Sequence, residues 1–200
     1  MSKSHKIKKI DVDTISLYDP IWSGIQAEYL DNSNFSPDIE CPETSVKIVY
    51  SDSGMTVKFE CCEKNPVARY KNLNDPACLD SCVEFFFSPF AGMPGEYMNF
   101  ELGAAGALLI QTGDKNNRQY VGEDIGVFKT ETQILSDKWL AKIFIPFEFV
   151  NKYFPYFDKC FRGNFQFCNG DKGIFITWNK IDTEKLAFHV PEFFAELILD

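Results

Sequence analysis

Histidine is scarce in this 200-residue chain, which has two, one of them in the basic start. With no second histidine near His189, a Ser–His–Asp triad or a His-built metal centre has no material. Seven cysteines are present, yet no CxxC pair and no Cys/His spacing of a zinc motif occurs. GxGxxG and GxSxG are missing too, which removes the dinucleotide fingerprint and the nucleophile elbow. No apolar run approaches the ~18 residues of a membrane span. Cationic charge is short: 20 basic against 29 acidic residues leaves a formal −9. Phosphate binding needs a basic patch, so nucleic acid is not an expected partner. The lysine-rich start carries no apolar h-region and does not read as a signal peptide. An odd number of cysteines then suggests free thiols in a reducing compartment, and a cytoplasmic location is the expectation. There is no internal repeat, no low-complexity tract and no linker.

What is abundant is phenylalanine, 20 residues, within an aromatic content of 16%. Apolar residues recur with period two, or in short runs bounded by turn residues. Val46–Tyr50 and Met55–Cys61 read as a hairpin about a Ser51-Asp52-Ser53-Gly54 turn. Further strands are expected over Cys82–Phe87, Tyr97–Leu102, Ala107–Gln111, Trp139–Ile145, Gly163–Cys168, Gly173–Trp178 and Phe193–Leu199, with a weaker one over Gly126–Thr132. Pro146–Lys152 suits a helical turn or two. About ten short strands argue an all-β fold: an antiparallel β-sandwich of two packed sheets with minor helix, as a single domain over residues 1–200. Residues 1–44 are expected to be an irregular N-terminal wrap. Val83, Phe85, Phe87, Phe100, Ile143 and Ile145 are the expected core.

Within Asp80-Ser81-Cys82-Val83-Glu84-Phe85-Phe86-Phe87, alternation places Asp80, Cys82 and Glu84 on one face and Ser81, Val83, Phe85 and Phe87 on the other. Carboxylates on so apolar a strand are costly unless they meet water, donors or a ligand. Tyr97, Asn99 and Glu101 likewise share a face, opposite Met98, Phe100 and Leu102. Acceptors and amides beside rings are what a sugar site requires, since rings stack on C–H faces while polar groups grip hydroxyls. An ordinary solvated sheet face is the competing reading. Trp178 faces with Ile174 and Ile176, and is either core or a stacking platform. His189 is either a structural histidine or part of the site. Asp80 and Glu84 would stand roughly 13 Å apart along one strand, too far for a glycosidase pair.

Several motifs, in order over residues 45–200, resemble carbohydrate-binding module family 9, often grouped with the DOMON-type domains. They are Ala68-Arg69-Tyr70-Lys71-Asn72, the Asp80–Phe86 run, Tyr97-Met98-Asn99-Phe100-Glu101, Trp139–Phe147, Gly163-Asn164-Phe165 with Gly170-Asp171-Lys172, Thr177-Trp178-Asn179-Lys180-Ile181, and Phe188-His189-Val190-Pro191-Glu192-Phe193-Phe194. The resemblance implies a β-sandwich that binds glucose units at glycan reducing ends between two aromatic rings and leaves catalysis to other domains. It maps a sugar-contacting acid to Glu84, a sugar-contacting amide to Asn99 and a stacking ring to Trp178. It also shows a departure. Where the family often has Trp six residues before the acid, this chain has Cys78. Where sugar-binding members often have Arg two before the amide, it has Tyr97. The expected site is thus Trp178, Glu84, Asn99, Tyr97, Glu101 and His189, with a carbohydrate ligand, no cofactor and no metal. Two alternatives remain: a glycoside hydrolase using Glu84 with Glu101 or Glu192, and a haem domain using Met98 and His189.

Overall fold

Alternation of apolar and polar side chains sets most of the strands in the computed structural model, which describes residues 2–92, 95–122 and 125–200. In chain order these are β1 (Ser4–Lys9), β2 (Glu28–Tyr29), β3 (Thr44–Tyr50), β4 (Gly54–Cys61), β5 (Ser81–Ser88), β6 (Tyr97–Gly103), β7 (Leu108–Gly113), β8 (Arg118–Tyr120), β9 (Glu131–Ile134), β10 (Trp139–Pro146), β11 (Cys160–Asn169), β12 (Ile174–Thr177) and β13 (Ala195–Leu199). One helix, α1 (Phe147–Tyr153), starts directly after Pro146, whose fixed φ suits the entry to a helix. The weak strand expected over Gly126–Thr132 is instead a short 3₁₀ turn, Ile125–Phe128, with β9 beginning only at Glu131. Phe128 decides this by turning inward against Phe149 and Phe100, at ring separations of 4.8 and 5.7 Å.

The two separate antiparallel sheets of the sequence reading are not what forms. A single mixed sheet runs β8-β7-β6-β5-β11-β13-β1-β3-β4-β10-β9, with β12 added beside β11 and β2 beside β3. It curls so that two leaves face each other. The joint is β1: Ser4–Ile7 lie parallel to β13, and Lys8 and Lys9 lie parallel to β3. This strand falls inside the segment expected to be irregular. Only His5 and Ile7 of β1 are buried, and its lysines mask the period-two pattern.

Between the leaves lies an aromatic core. Val57, Phe59, Ile143 and Ile145 come from one leaf and Val83, Phe85, Phe87, Phe100 and Phe165 from the other. Phe59 meets Phe165 edge-on across the gap at 6.1 Å, and Phe85 stacks on Phe165 at 4.8 Å. Each such ring contributes about 1.5–3 kcal/mol through burial. The outer face of the β5 leaf is not left to solvent. Phe35, Tyr70, Phe188, Val190 and Phe193 from loops cover it, over Cys82, Phe86, Tyr97 and Cys168. Every residue of β5 is therefore buried, on both sides. No helix among the described residues is long and apolar enough to cross a membrane.

Candidate functional site

Register builds the site. Opposed residues of adjacent antiparallel strands point to the same face. Thr177, Gln166, Glu84 and Glu101 stand opposite one another in a row across β12, β11, β5 and β6. The next row, from β12 to β5, is Phe175, Cys168 and Cys82. All of these point to the outer face, away from the aromatic core.

The covering loops leave a cavity of about 450 Å³ above these rows. Glu84, Glu101 and Cys168 line it from the sheet, with Phe175 at the side. Cys78, Lys115, Arg118 and the segment Leu186–His189 complete the wall. Five of the six expected residues converge here. A chain of contacts links them. Tyr97 Oη and His189 Nδ1 are 2.9 Å apart, and Arg118 Nη1 donates to Tyr97 Oη at 3.5 Å. Arg118 Nε donates to Gln111 Oε1 at 3.3 Å, and Asn99 Nδ2 donates to Glu101 Oε1 at 2.9 Å. Tyr97 and Asn99 are fully buried and act behind the wall rather than on it.

Trp178 is the exception and corrects the platform reading. Its indole is fully buried and belongs to the inter-leaf core. It packs on Phe165 at 5.4 Å, and its N–H donates to Glu28 Oε2 at 2.9 Å. The cause is parity: Ile174, Ile176 and Trp178 all face inward. The ring that this segment does present to the cavity is Phe175, with Phe188 edge-on beside it at 6.0 Å. Asp80 also leaves the expected face. It precedes β5, and its carboxylate accepts from Arg69 Nε at 2.7 Å, from Tyr70 N–H at 2.9 Å and from Arg69 N–H. That is a structural clasp. Met98 points into the inter-leaf core, whereas His189 packs on the opposite side of the leaf against Phe86, so no haem can lie between them. Glu192 sits on the surface, paired with Lys115 at 3.4 Å.

Burial controls the electrostatics. Glu84 is pushed well above the usual carboxylate range by desolvation, and next by the charge of Glu101 opposite it. Desolvation raises Glu101 to about 7, against the hydrogen bond from Asn99 and the charge of Arg118. His189 is lowered to about 4 by burial and by Arg118. Among the described residues neither carboxyl has an ion-pair partner. Six buried side-chain atoms also have no hydrogen-bond partner: Glu84 Oε2, Gln166 Oε1 and Nε2, Thr177 Oγ1, Asn99 Oδ1 and Ser88 Oγ. By parity they all lie on this one face. Buried polar groups are nearly always paired, so atoms without a protein partner call for water, an ion or a ligand.

Sequence reasoning missed Arg118, Lys115, Phe175, Phe188 and Cys168. Phe175 was accessible by parity from Trp178. Arg118 was not, because the three-residue strand β8 has no periodicity to read.

Comparison with known proteins bears on this geometry. Residues 22–199 match the profile of carbohydrate-binding family 9. The structure superposes on a putative carbohydrate-binding protein from Bacteroides uniformis with a TM-score of 0.85 and 27% identity, each chain covered in full. It also superposes on a family 9 module from Caldicellulosiruptor kristjanssonii seen with glucose, at a TM-score of 0.67 and 15% identity over 99% of this chain and 96% of that one. The same module seen with cellotriose gives 0.68 and 15%, over 98% and 93%. At 15% identity these last two likenesses are of fold alone. No protein of curated function matches.

Proposed function

Because the chain belongs to carbohydrate-binding family 9, whose modules bind sugars and are not catalysts, we propose that the cavity over Glu84 and Glu101 is its glycan site. The ligand is a glucose-type or reducing-end unit. The observation that carries this reading is that Glu84, whose buried Oε2 has no hydrogen-bond partner, lines that cavity beside Glu101 and Arg118. A sugar ring offers many hydroxyls that both donate and accept. Glu84 Oε2 and the Glu101 carboxyl take hydroxyls, and Arg118 donates. Phe175 and Phe188 supply the apolar side against the C–H face, the role assigned by sequence to Trp178. The volume falls within the ~300–1,000 Å³ of small-molecule sites. The reading is of binding without hydrolysis, and it is supported by Glu84 and Glu101 standing side by side on adjacent strands rather than facing each other across the cavity.

A glycan array followed by calorimetry with glucose, cellobiose and cellotriose tests the reading. Binding is expected, and is expected to weaken in Arg118→Ala and Phe175→Ala with the fold intact. Absence of binding to every glycan, or binding indifferent to both changes, would overturn it. Turnover of a glycoside that is lost in Glu84→Gln would promote the hydrolase reading instead.

A further inference from the structure

The floor of the cavity holds two thiols that the sugar reading does not use, beside the Glu84 carboxyl that it does. Cys82 and Cys168 are opposed in register between β5 and β11. Glu84 lies two residues beyond Cys82 on the same face of the same strand. Two thiols far apart in sequence, with a carboxylate next to one of them, are thereby brought together at the centre of a leaf. The Cys82 and Cys168 sulfurs and a Glu84 oxygen all lie within 4.8 Å of one another. Cys168 Sγ–H donates to Glu84 Oε1 at 3.0 Å. Both cysteines and Glu84 are almost completely buried.

We propose that Cys82, Cys168 and Glu84 form a binding site for a single thiophilic divalent cation of the zinc class, with its fourth position open to the cavity. Geometry supports this directly. Zinc bonds sulfur at ~2.3 Å and carboxylate oxygen at ~2.0–2.2 Å, so tetrahedral ligands stand roughly 3.5–3.8 Å apart. The three atoms already lie within 4.8 Å of one another, with Cys168 Sγ and Glu84 Oε1 at 3.0 Å. A second observation is independent of the distances: Glu84 Oε2 is buried without a hydrogen-bond partner, and no ion pair among the described residues neutralises Glu84 or Glu101. A buried carboxyl pair beside two thiols needs either protons or a cation.

Donor chemistry selects the metal. Calcium and magnesium demand oxygen ligands, which this set does not supply in number. Thiolates favour zinc and its soft neighbours. Binding deprotonates both thiols, so two protons leave as the cation enters, with a third where Glu84 holds one. Cys168 and Glu84 line the cavity while Cys82 lies beneath it, so the open coordination position faces the cavity and takes water or a ligand oxygen. The site shares Glu84 with the sugar reading, and the two are compatible because the cation requires one carboxylate oxygen and leaves the other for a hydroxyl.

Cobalt titration of the reduced, metal-free full chain tests it. One equivalent of Co²⁺ should produce the near-ultraviolet sulfur-to-cobalt charge-transfer band and the visible bands of tetrahedral cobalt, and Zn²⁺ should bleach both with proton release. Cys82→Ser and Cys168→Ser should each weaken binding by more than the roughly 10–100-fold that outer-shell changes cause. Cys62→Ser, at an exposed thiol, should change nothing. If either interior variant fails to fold, zinc-edge absorption of the wild-type protein decides: two sulfurs and one or two oxygens are expected. The proposal falls if cobalt gives no thiolate band, if the zinc shell lacks sulfur, if both interior variants keep the bands, or if Cys82 and Cys168 are isolated as a disulfide.

Discussion

The two faces of β5 are buried to the same degree and are opposite in kind. Inward, Val83, Phe85 and Phe87 pack within the apolar core, and each ring contacts other rings. Outward, Cys82, Glu84, Phe86 and Ser88 are just as inaccessible, yet two of the four carry a polar atom with no partner. Hydrophobic burial stabilises whatever it covers, so the inner face accounts for the fold. The outer face does the reverse, because desolvating a carboxyl without a partner costs stability. On the reading proposed above, such a strand has its function on the side that destabilises it. The same division runs through β12, where Trp178 of the following residue faces in and Phe175 faces out.

That contrast is sharpest at Trp178. Removing a fully buried indole leaves a large cavity and strands Glu28 Oε2 without its donor. Trp178→Ala is expected to cost about 3–5 kcal/mol, read as a lowered urea midpoint with an unchanged slope. Trp178→Phe, which keeps a ring but loses the N–H bond, should cost less. If Trp178→Ala instead kept full stability and lost only sugar binding, the division between inner and outer face would be wrong.

Glu84 should behave in the opposite way. Glu84→Gln replaces a buried acid that has no ion-pair partner with a neutral isostere that can still accept from Cys168, so stability should hold or rise. Sugar affinity should fall by roughly 10–100-fold, the worth of a hydrogen bond to a charged or strongly polarised group. Calorimetry and a thermal melt on the same samples check both halves. A destabilised variant that bound sugar normally would place Glu84 on the structural side.

Strands were legible in the sequence because alternation is local. β3, β4, β5, β6, β10 and β11 announced themselves, and so did the inner core from Val83 to Ile145. The joint through β1 was not legible: a strand exposed but for His5 and Ile7 carries little hydrophobic signal, and one of its two parallel partners, β13, lies at the far end of the chain. The site was half legible for the same reason. Alternation put Glu84 on one face of its strand and Tyr97, Asn99 and Glu101 on one face of theirs. It could not say that β5 and β6 pair so that Glu84 meets Glu101, nor that β11 brings Cys168 to Cys82. Cysteine spacing rules read neighbours along the chain, and these two are neighbours only across a ladder. The misreading of Trp178 has another origin. Its parity with Ile174 and Ile176 pointed inward, and the resemblance to a stacking residue pointed outward. Parity was the physical argument, and the indole follows it.

The smallest effect concerns His189, at the edge where the outer face meets solvent. Its ring is held neutral by burial and by the neighbouring Arg118, with a pKa near about 4 in place of 6.5. Between those two values the unfolded chain binds a proton that the folded chain refuses. Stability from this group is therefore complete above pH ~6.5 and is lost as pH falls toward ~4. Glu101 works in the other direction: raised to about 7, it favours the folded state at low pH, and that contribution fades as pH rises through 7. The two partly cancel in the wild-type profile, so the histidine has to be isolated by subtraction. The stability of wild type minus that of His189→Asn should be greatest above pH 6.5. It should shrink by about 1–2 kcal/mol on acidification to pH 4, after allowance for screening at a partly exposed ring. Urea titrations of both proteins at half-unit pH steps give the difference directly. A gap that stays flat, or widens as pH falls, would mean that His189 is charged in the folded protein and that the cavity wall beside Tyr97 and Arg118 is wetter than its packing indicates.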